Sequence, residues 1–231
     1  MRVALGFSAR YSVSANWTVV FANIARNVRY DLVLGHDTHF AIDISRSRLV
    51  HAFLQLNPDY IFLIDTDIFP FLCRDKKCEI FYDVVNYFIE NYSKYDVIGV
   101  YHMNKRLEPN VYVFTEKRNF AGFEYYDYKP LKLEIGTGVH RVDAMGIGIV
   151  MFKPEVFEKI PYPWFRILHL YDQESKTSLE MGEDIYFFTQ CKQHNIPVHV
   201  TTDVIALHEA VSYLTPDGRV FVVNPFVSFN T

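Results

Sequence analysis

The chain has 231 residues, half of them hydrophobic and 22 % charged, with a formal net charge of −4. That composition excludes a disordered or collagen-like chain and provides no basic footprint for nucleic acid. No apolar run reaches the ~18 residues that span a bilayer, and Met1-Arg2-Val3-Ala4-Leu5-Gly6-Phe7 turns polar too early for a signal peptide. The expectation is a cytoplasmic protein without a transmembrane segment.

Residues 2 to 7 read as a first strand, followed by a polar loop from Ser8 to Ser14. Trp17, Val20, Phe21 and Ile24 then fall on one helical face. Leu32-Val33-Leu34 is a second strand ended by Gly35, and Asp43 or Ser45 is placed to cap the next helix. Leu49, Phe53 and Leu56 mark its buried stripe, and Asn57-Pro58-Asp59 stops it. Tyr60-Ile61-Phe62-Leu63-Ile64 is a strand with no polar face, as in the middle of a parallel sheet. The alternation predicts right-handed crossovers and parallel pairing.

A loop with Pro70, Cys73 and Cys78 comes next, then a helix on Phe81, Val84, Val85 and Phe88 and a strand over 97 to 100. Three cysteines make no disulfide framework, although Cys73 and Cys78 are close enough in sequence to bridge locally. Residues 101 to 140 break the pattern. Val111 to Phe114 and Phe123 to Tyr128 predict strands around an Ala121-Gly122 turn, a hairpin-rich insertion. Arg141 to Phe152 reads as one strand interrupted by Gly146 and Gly148, and glycine inside a strand marks a close approach. Pro154 opens a short helix, Pro161 to Phe165 is a rigid aromatic loop, and residues 171 to 180 are polar. Gly182-Glu183-Asp184 leads into a helix to His194, and a final sheet strand ends at His208. Pro216-Asp217-Gly218 predicts a hairpin turn in the tail.

Chemistry concentrates in three places. Asp65-Thr66-Asp67 follows the buried strand, where open α/β sheets bind ligands, and two carboxylates there form an oxygen-rich cup for a hard cation. Alone, Asp-x-Asp reads first as an Asp-rich turn that closes a strand. Glu183 and Asp184 stand at a helix N-terminus, where the dipole favours ionised acids. His208 ends a late strand.

In that order and spacing, over roughly residues 2 to 210, the chain resembles glycosyltransferases of the GT-A fold. Ser45-Arg46-Ser47-Arg48 before the Asp-Thr-Asp strand, Val142 to Gly148, Pro163-Trp164-Phe165 and Gly182-Glu183-Asp184 resemble that family's segments. The resemblance implies a Rossmann-like, mostly parallel central sheet flanked by helices, with the hairpin-rich insertion on the acceptor side. It divides one domain into a nucleotide-sugar half (1–100), an acceptor and catalytic half (101–210) and a hairpin tail (211–231). It implies transfer of a sugar from a nucleoside-diphosphate sugar to a hydroxyl of a glycan, protein or lipid, with inversion. Asp65, Asp67 and His208 would hold Mn²⁺ or Mg²⁺. Asp184 would act as base beside Glu183. Ser8, Arg10, Arg46, Arg48, Asp65 and Thr66 would contact the nucleotide sugar, and Gly146 and Trp164 the acceptor side. The chain would be a minimal transferase, and its apolar end, Val220 to Phe229, would cover the site or pair with another copy in a homo-oligomer. The alternatives are a sugar nucleotidyltransferase, against which Phe7-Ser8-Ala9-Arg10 shows no Gly-rich loop, and a non-catalytic carbohydrate-binding or structural protein.

Overall fold

The computed structural model describes residues 1–9, 13–39, 41–74, 77–104, 108–173, 176–209, 211–214 and 220–223. The chain opens as β1 (Arg2–Ser8), α1 (Ala15–Asn27), β2 (Asp31–Asp37), α2 (Ile42–Leu54) and β3 (Tyr60–Ile64). β1 is parallel to both β2 and β3. Ser14 caps α1, its Oγ accepting from the Trp17 amide at 3.0 Å. α2 has no side-chain cap and starts after Ala41, so neither Asp43 nor Ser45 caps it. Asp43 instead accepts from the Ile167 amide, and buried Ser45 donates to Ser8 Oγ. Leu56 lies beyond the last helical turn and is exposed.

The expected loop after the Asp pair is a hairpin, β4 (Ile68–Arg74) and β5 (Lys77–Ile80). Cys73 stands opposite Cys78 in its ladder and is disulfide-bonded, whereas Cys191 is a buried free thiol. α3 (Val84–Tyr92) and β6 (Val97–His102) follow, then the antiparallel pair β7 (Val111–Phe120) and β8 (Phe123–Pro130) around Ala121 and Gly122. β9 (Val139–Val142) comes next. The single strand expected through Gly146 and Gly148 is two, β10 (Ala144–Met145) and β11 (Ile149–Phe152), which join different sheets. After α4 (Glu155–Lys159), the polar stretch belongs to a further hairpin, β12 (Leu168–Asp172) with β13 (Thr177–Met181). α5 (Glu183–Gln193), β14 (Val198–His208), β15 (Val211–Leu214) and β16 (Val220–Val223) complete the order. The predicted tail turn and residues 224 to 229 lie outside the described residues.

The main sheet runs β2-β1-β3-β11-β6-β14-β4-β5, with β9 also on β14. This corrects the expectation of a mostly parallel Rossmann-like sheet. Only β1–β2, β1–β3 and β6–β14 are parallel; β3–β11, β11–β6, β14–β4, β4–β5 and β14–β9 are antiparallel. The physical reason is local. An apolar run reports burial on both faces but not the direction of its neighbours. Here β11 turns back between β3 and β6, and β4 folds back along β14 instead of crossing over through a helix.

Alternation along the strands divides the core. Val3, Leu5, Phe62, Ile64, Ile98 and Met151 pack with Trp17, Ile24, Val84 and Phe88 from α1 and α3. Ala4, Ile61, Leu63, Val97, Val150 and Phe152 pack with Leu49, Phe53, Phe187 and Phe188 from α2 and α5. Each fully buried large side chain contributes about 1.5–3 kcal/mol of transfer free energy. This packing fixes α2 and α5 beside the ends of β1 and β3, where the polar cluster forms. No helix among the described residues is long and apolar enough to cross a membrane.

Candidate active site

Three consecutive residues of α2, Ser45, Arg46 and Ser47, are buried and polar. Burying a guanidinium is costly unless it is fully partnered, and Arg46 has four partners. Its Nη2 donates to Asp65 Oδ1 at 2.7 Å and to the Ile147 carbonyl at 3.2 Å. Its Nη1 donates to Glu183 Oε1 at 2.8 Å and to Asp184 Oδ1 at 2.5 Å. One cation thus ties the end of β3, the corner between β10 and β11, and the first turn of α5.

Three carboxylates share that one cation. Burial pushes the Asp65 carboxyl up to about 6, against the pull of Arg46. Burial raises Asp184 as well, with Arg46 opposing, and raises Glu183, with Asp184 adding to the shift. The Arg46 guanidinium is held charged by its carboxylates more strongly than burial opposes it. Asp184 Oδ2 also accepts from the Ile147 amide at 3.3 Å. Asp65 is fixed by its own main chain: its amide donates to Gly148, and its carbonyl accepts from Trp17 Nε1 at 2.9 Å.

Beside this cluster the main chain brings Asp67 to the end of β14 that carries His208. Ile68 lies opposite His208 in the β4–β14 ladder, and the Glu209 amide donates to the Asp67 carbonyl at 2.7 Å. The His208 Nδ1–H donates to the Met103 carbonyl at 2.7 Å, which fixes the ring's orientation. His102 lies behind it, ring centroids 5.3 Å apart. His102 is fully enclosed, and burial, aided by His208, pushes its imidazole down to about 4. Its Nδ1–H faces the Val100 carbonyl, and Asn110 Nδ2 donates to its Nε2 at 2.8 Å. Tyr112 Oη donates to Asn110 Oδ1 at 2.9 Å.

Carboxylate and imidazole donors suit Mn²⁺ or Mg²⁺ in type. Among the described residues no three His, Cys, Asp or Glu side chains form a cage. Asp65 is spent on Arg46. The expected trio of Asp65, Asp67 and His208 is therefore not assembled as one cage, and main-chain register leaves Asp67 and His208 as the two candidate donors near each other.

The remaining expected residues are distributed as follows. Ser8 is half-buried against Ser45, Thr66 is half-buried in the turn after β3, and Arg10 lies outside the described residues. Arg46 is not a free phosphate clamp, because both its terminal nitrogens are taken by carboxylates and a carbonyl. Arg48 turns the other way: it is 60 % exposed and its Nε pairs with Asp37 Oδ2 at 3.1 Å. Gly146 does not open to a ligand; a Cβ there would lie 1.7 Å from Asn110 Nδ2. Trp164 is buried, its indole N–H donating to the Phe157 and Ile160 carbonyls, so its face anchors a loop instead of receiving a sugar. Sequence reasoning missed Trp17, His102, Asn110 and Tyr112. The interruption at Gly146 and Gly148 was the signal for two of them, since Gly148 packs on the His102 ring and Gly146 on Asn110.

No family model matches the chain, and no curated protein matches it. A solved structure titled "Crystal Structure of A197 from STIV" is similar, with a TM-score of 0.57 and 23 % identity over 100 % of this chain and 98 % of that one. At that identity the likeness concerns the fold alone.

Proposed function

We propose that the chain is a glycosyltransferase that moves a sugar from a nucleoside-diphosphate sugar to a hydroxyl acceptor with inversion. The observation that carries this reading is the arrangement of five acidic and imidazole groups in two adjoining sets. Asp65, Glu183 and Asp184 are gathered by Arg46, and the Asp67 main chain is hydrogen-bonded to the end of β14 that carries His208. Asp184 is the base. Its raised pKa brings it nearer to working pH, where general bases are most effective. It takes the proton of the acceptor hydroxyl as that oxygen bonds to the anomeric carbon. The anomeric carbon–oxygen bond breaks, and its electron pair leaves with the nucleoside diphosphate. Arg46 is a positioning residue that orients Asp184 and Asp65. A divalent cation bound by Asp67 and His208 would supply charge neutralisation for the leaving diphosphate.

The test is calorimetric titration of UDP and GDP with Mn²⁺ and with chelator, on the native chain and on Asp67→Ala. The expected result is metal-dependent binding of one nucleotide, lost in the variant. Failure of a full panel of nucleoside diphosphates to bind folded protein would overturn the reading.

A further inference from the structure

Arg46 and Arg48 are two residues apart on α2, so they point about 200° apart around the helix axis. Arg46 is 4 % exposed and faces the carboxylates, whereas Arg48 faces a separate groove of about 610 Å³ at the β2 edge of the sheet. That volume is in the range of small-molecule sites, roughly 300–1,000 Å³. Its walls are His36, Asp37, Arg48, His51, Tyr162 and Trp164, with aliphatic carbons of α2 between them.

Two features of the groove are built. The first is an aromatic shelf. Tyr162 is 66 % exposed, yet its ring stands edge-on to Trp164 at 5.3 Å, and Trp164 is locked by its two indole hydrogen bonds. An exposed aromatic ring resting against a fixed one offers an apolar face with a hydroxyl at its tip. The second is an oriented polar pair. Asp37 receives Arg48 Nε on one oxygen and the His39 amide on the other. This directs the carboxylate, and among the described residues the two terminal guanidinium nitrogens make no ion pair and stand as a donor fork. The pair is locally neutral, which disfavours a phosphate and favours a ligand with both donors and acceptors.

We propose that this groove binds a neutral pyranose of a glycan, stacked by its C–H face on Tyr162 with its hydroxyls held by Asp37 and Arg48. A pyranose presents an apolar face and a rim of hydroxyls that both donate and accept, matching the shelf and the pair. The site lies on the opposite side of α2 from Asp65 and Asp184. It does not depend on the transfer reading, and the nucleotide titration above does not probe it.

The experiment is saturation-transfer NMR with methyl glucoside, mannoside and galactoside, and with maltose, mannobiose and lactose. The native chain is compared with Tyr162→Ala, Tyr162→Phe, Arg48→Ala and Asp184→Asn, each first shown to melt cooperatively. At least one sugar receives saturation. Tyr162→Ala and Arg48→Ala each weaken it about tenfold, while Tyr162→Phe and Asp184→Asn retain it. Absence of transfer to every sugar overturns the proposal. So does a signal that survives Tyr162→Ala, one lost in Asp184→Asn, or one displaced by inorganic phosphate.

Discussion

Replacing Arg46 by methionine removes the one cation that three carboxylates share while keeping much of the side-chain volume. Breaking a buried ion pair from one side costs about 3–5 kcal/mol, because the partner charge is stranded. For a chain of this size each kcal/mol lowers Tm by roughly 2–4 °C, so the expected loss at pH 7.5 is roughly 6–20 °C. The cost depends on pH with a definite sign. Asp65, Glu183 and Asp184 have raised folded-state pKa values. Each therefore favours the fold most below its unfolded pKa, and that contribution is lost as pH rises through the folded value, about 6 for Asp65. Without Arg46 the folded values rise further, and the loss extends to higher pH. Thermal melts followed by circular dichroism in chelator, from pH 5 to pH 8, measure this directly. The gap between native and Arg46→Met protein should widen from pH 5 to pH 7.5, and Arg46→Lys should fall between them. A gap independent of pH, or no loss at pH 7.5, would refute the account of this cluster.

Asp184→Asn should lower kcat about 10²- to 10⁴-fold with donor binding retained, once a donor is in hand; calorimetry and product assays on the same samples separate the two effects. His102, held down to about 4, contributes stability that is present above its ordinary value and lost as pH falls through about 4. That amounts to about 3 kcal/mol across the interval, and the native acid limb of a Tm-against-pH curve should be steeper than that of His102→Gln. Gly146→Ala drives a Cβ into Asn110 and should cost about 1–3 kcal/mol in denaturant titration. Adding Asn110→Ala should recover part of it, a coupling that a double-mutant cycle reads.

Local signals in this sequence were informative and directional ones were not. The Trp17–Ile24 periodicity, the apolar run of β3 and the Ala121-Gly122 turn each appear at their expected positions because burial pattern and turn chemistry are properties of short segments. Strand direction is set by what lies alongside, and β11 arriving antiparallel between β3 and β6 left no mark on either neighbour. Two hairpins were not foreseen: β4–β5, where Pro70 interrupts the apolar run, and β12–β13, whose second strand lies in a stretch legible only as polar. In the site, Asp65 and Asp184 were legible as acids near element ends. Arg46 was legible only as a cation, since its burial depends on carboxylates from residues far along the chain. Tyr112 was legible as a strand residue but not as Asn110's partner, and Asn110 only indirectly, through the close approach that Gly146 marks.

The pairing of β14 with β4 has a kinetic consequence. β14 is the strand through which β4 and β5 join the rest of the sheet, and it comes late in the chain. β3 and β6 likewise wait for β11 before they share a sheet. Such non-local closures slow folding, because chain entropy is lost before the contacts form. During synthesis β4 has no partner on its β14 side until β14 emerges. His208 is at the far end of that strand, so Asp67 and His208 come together only when the sheet closes.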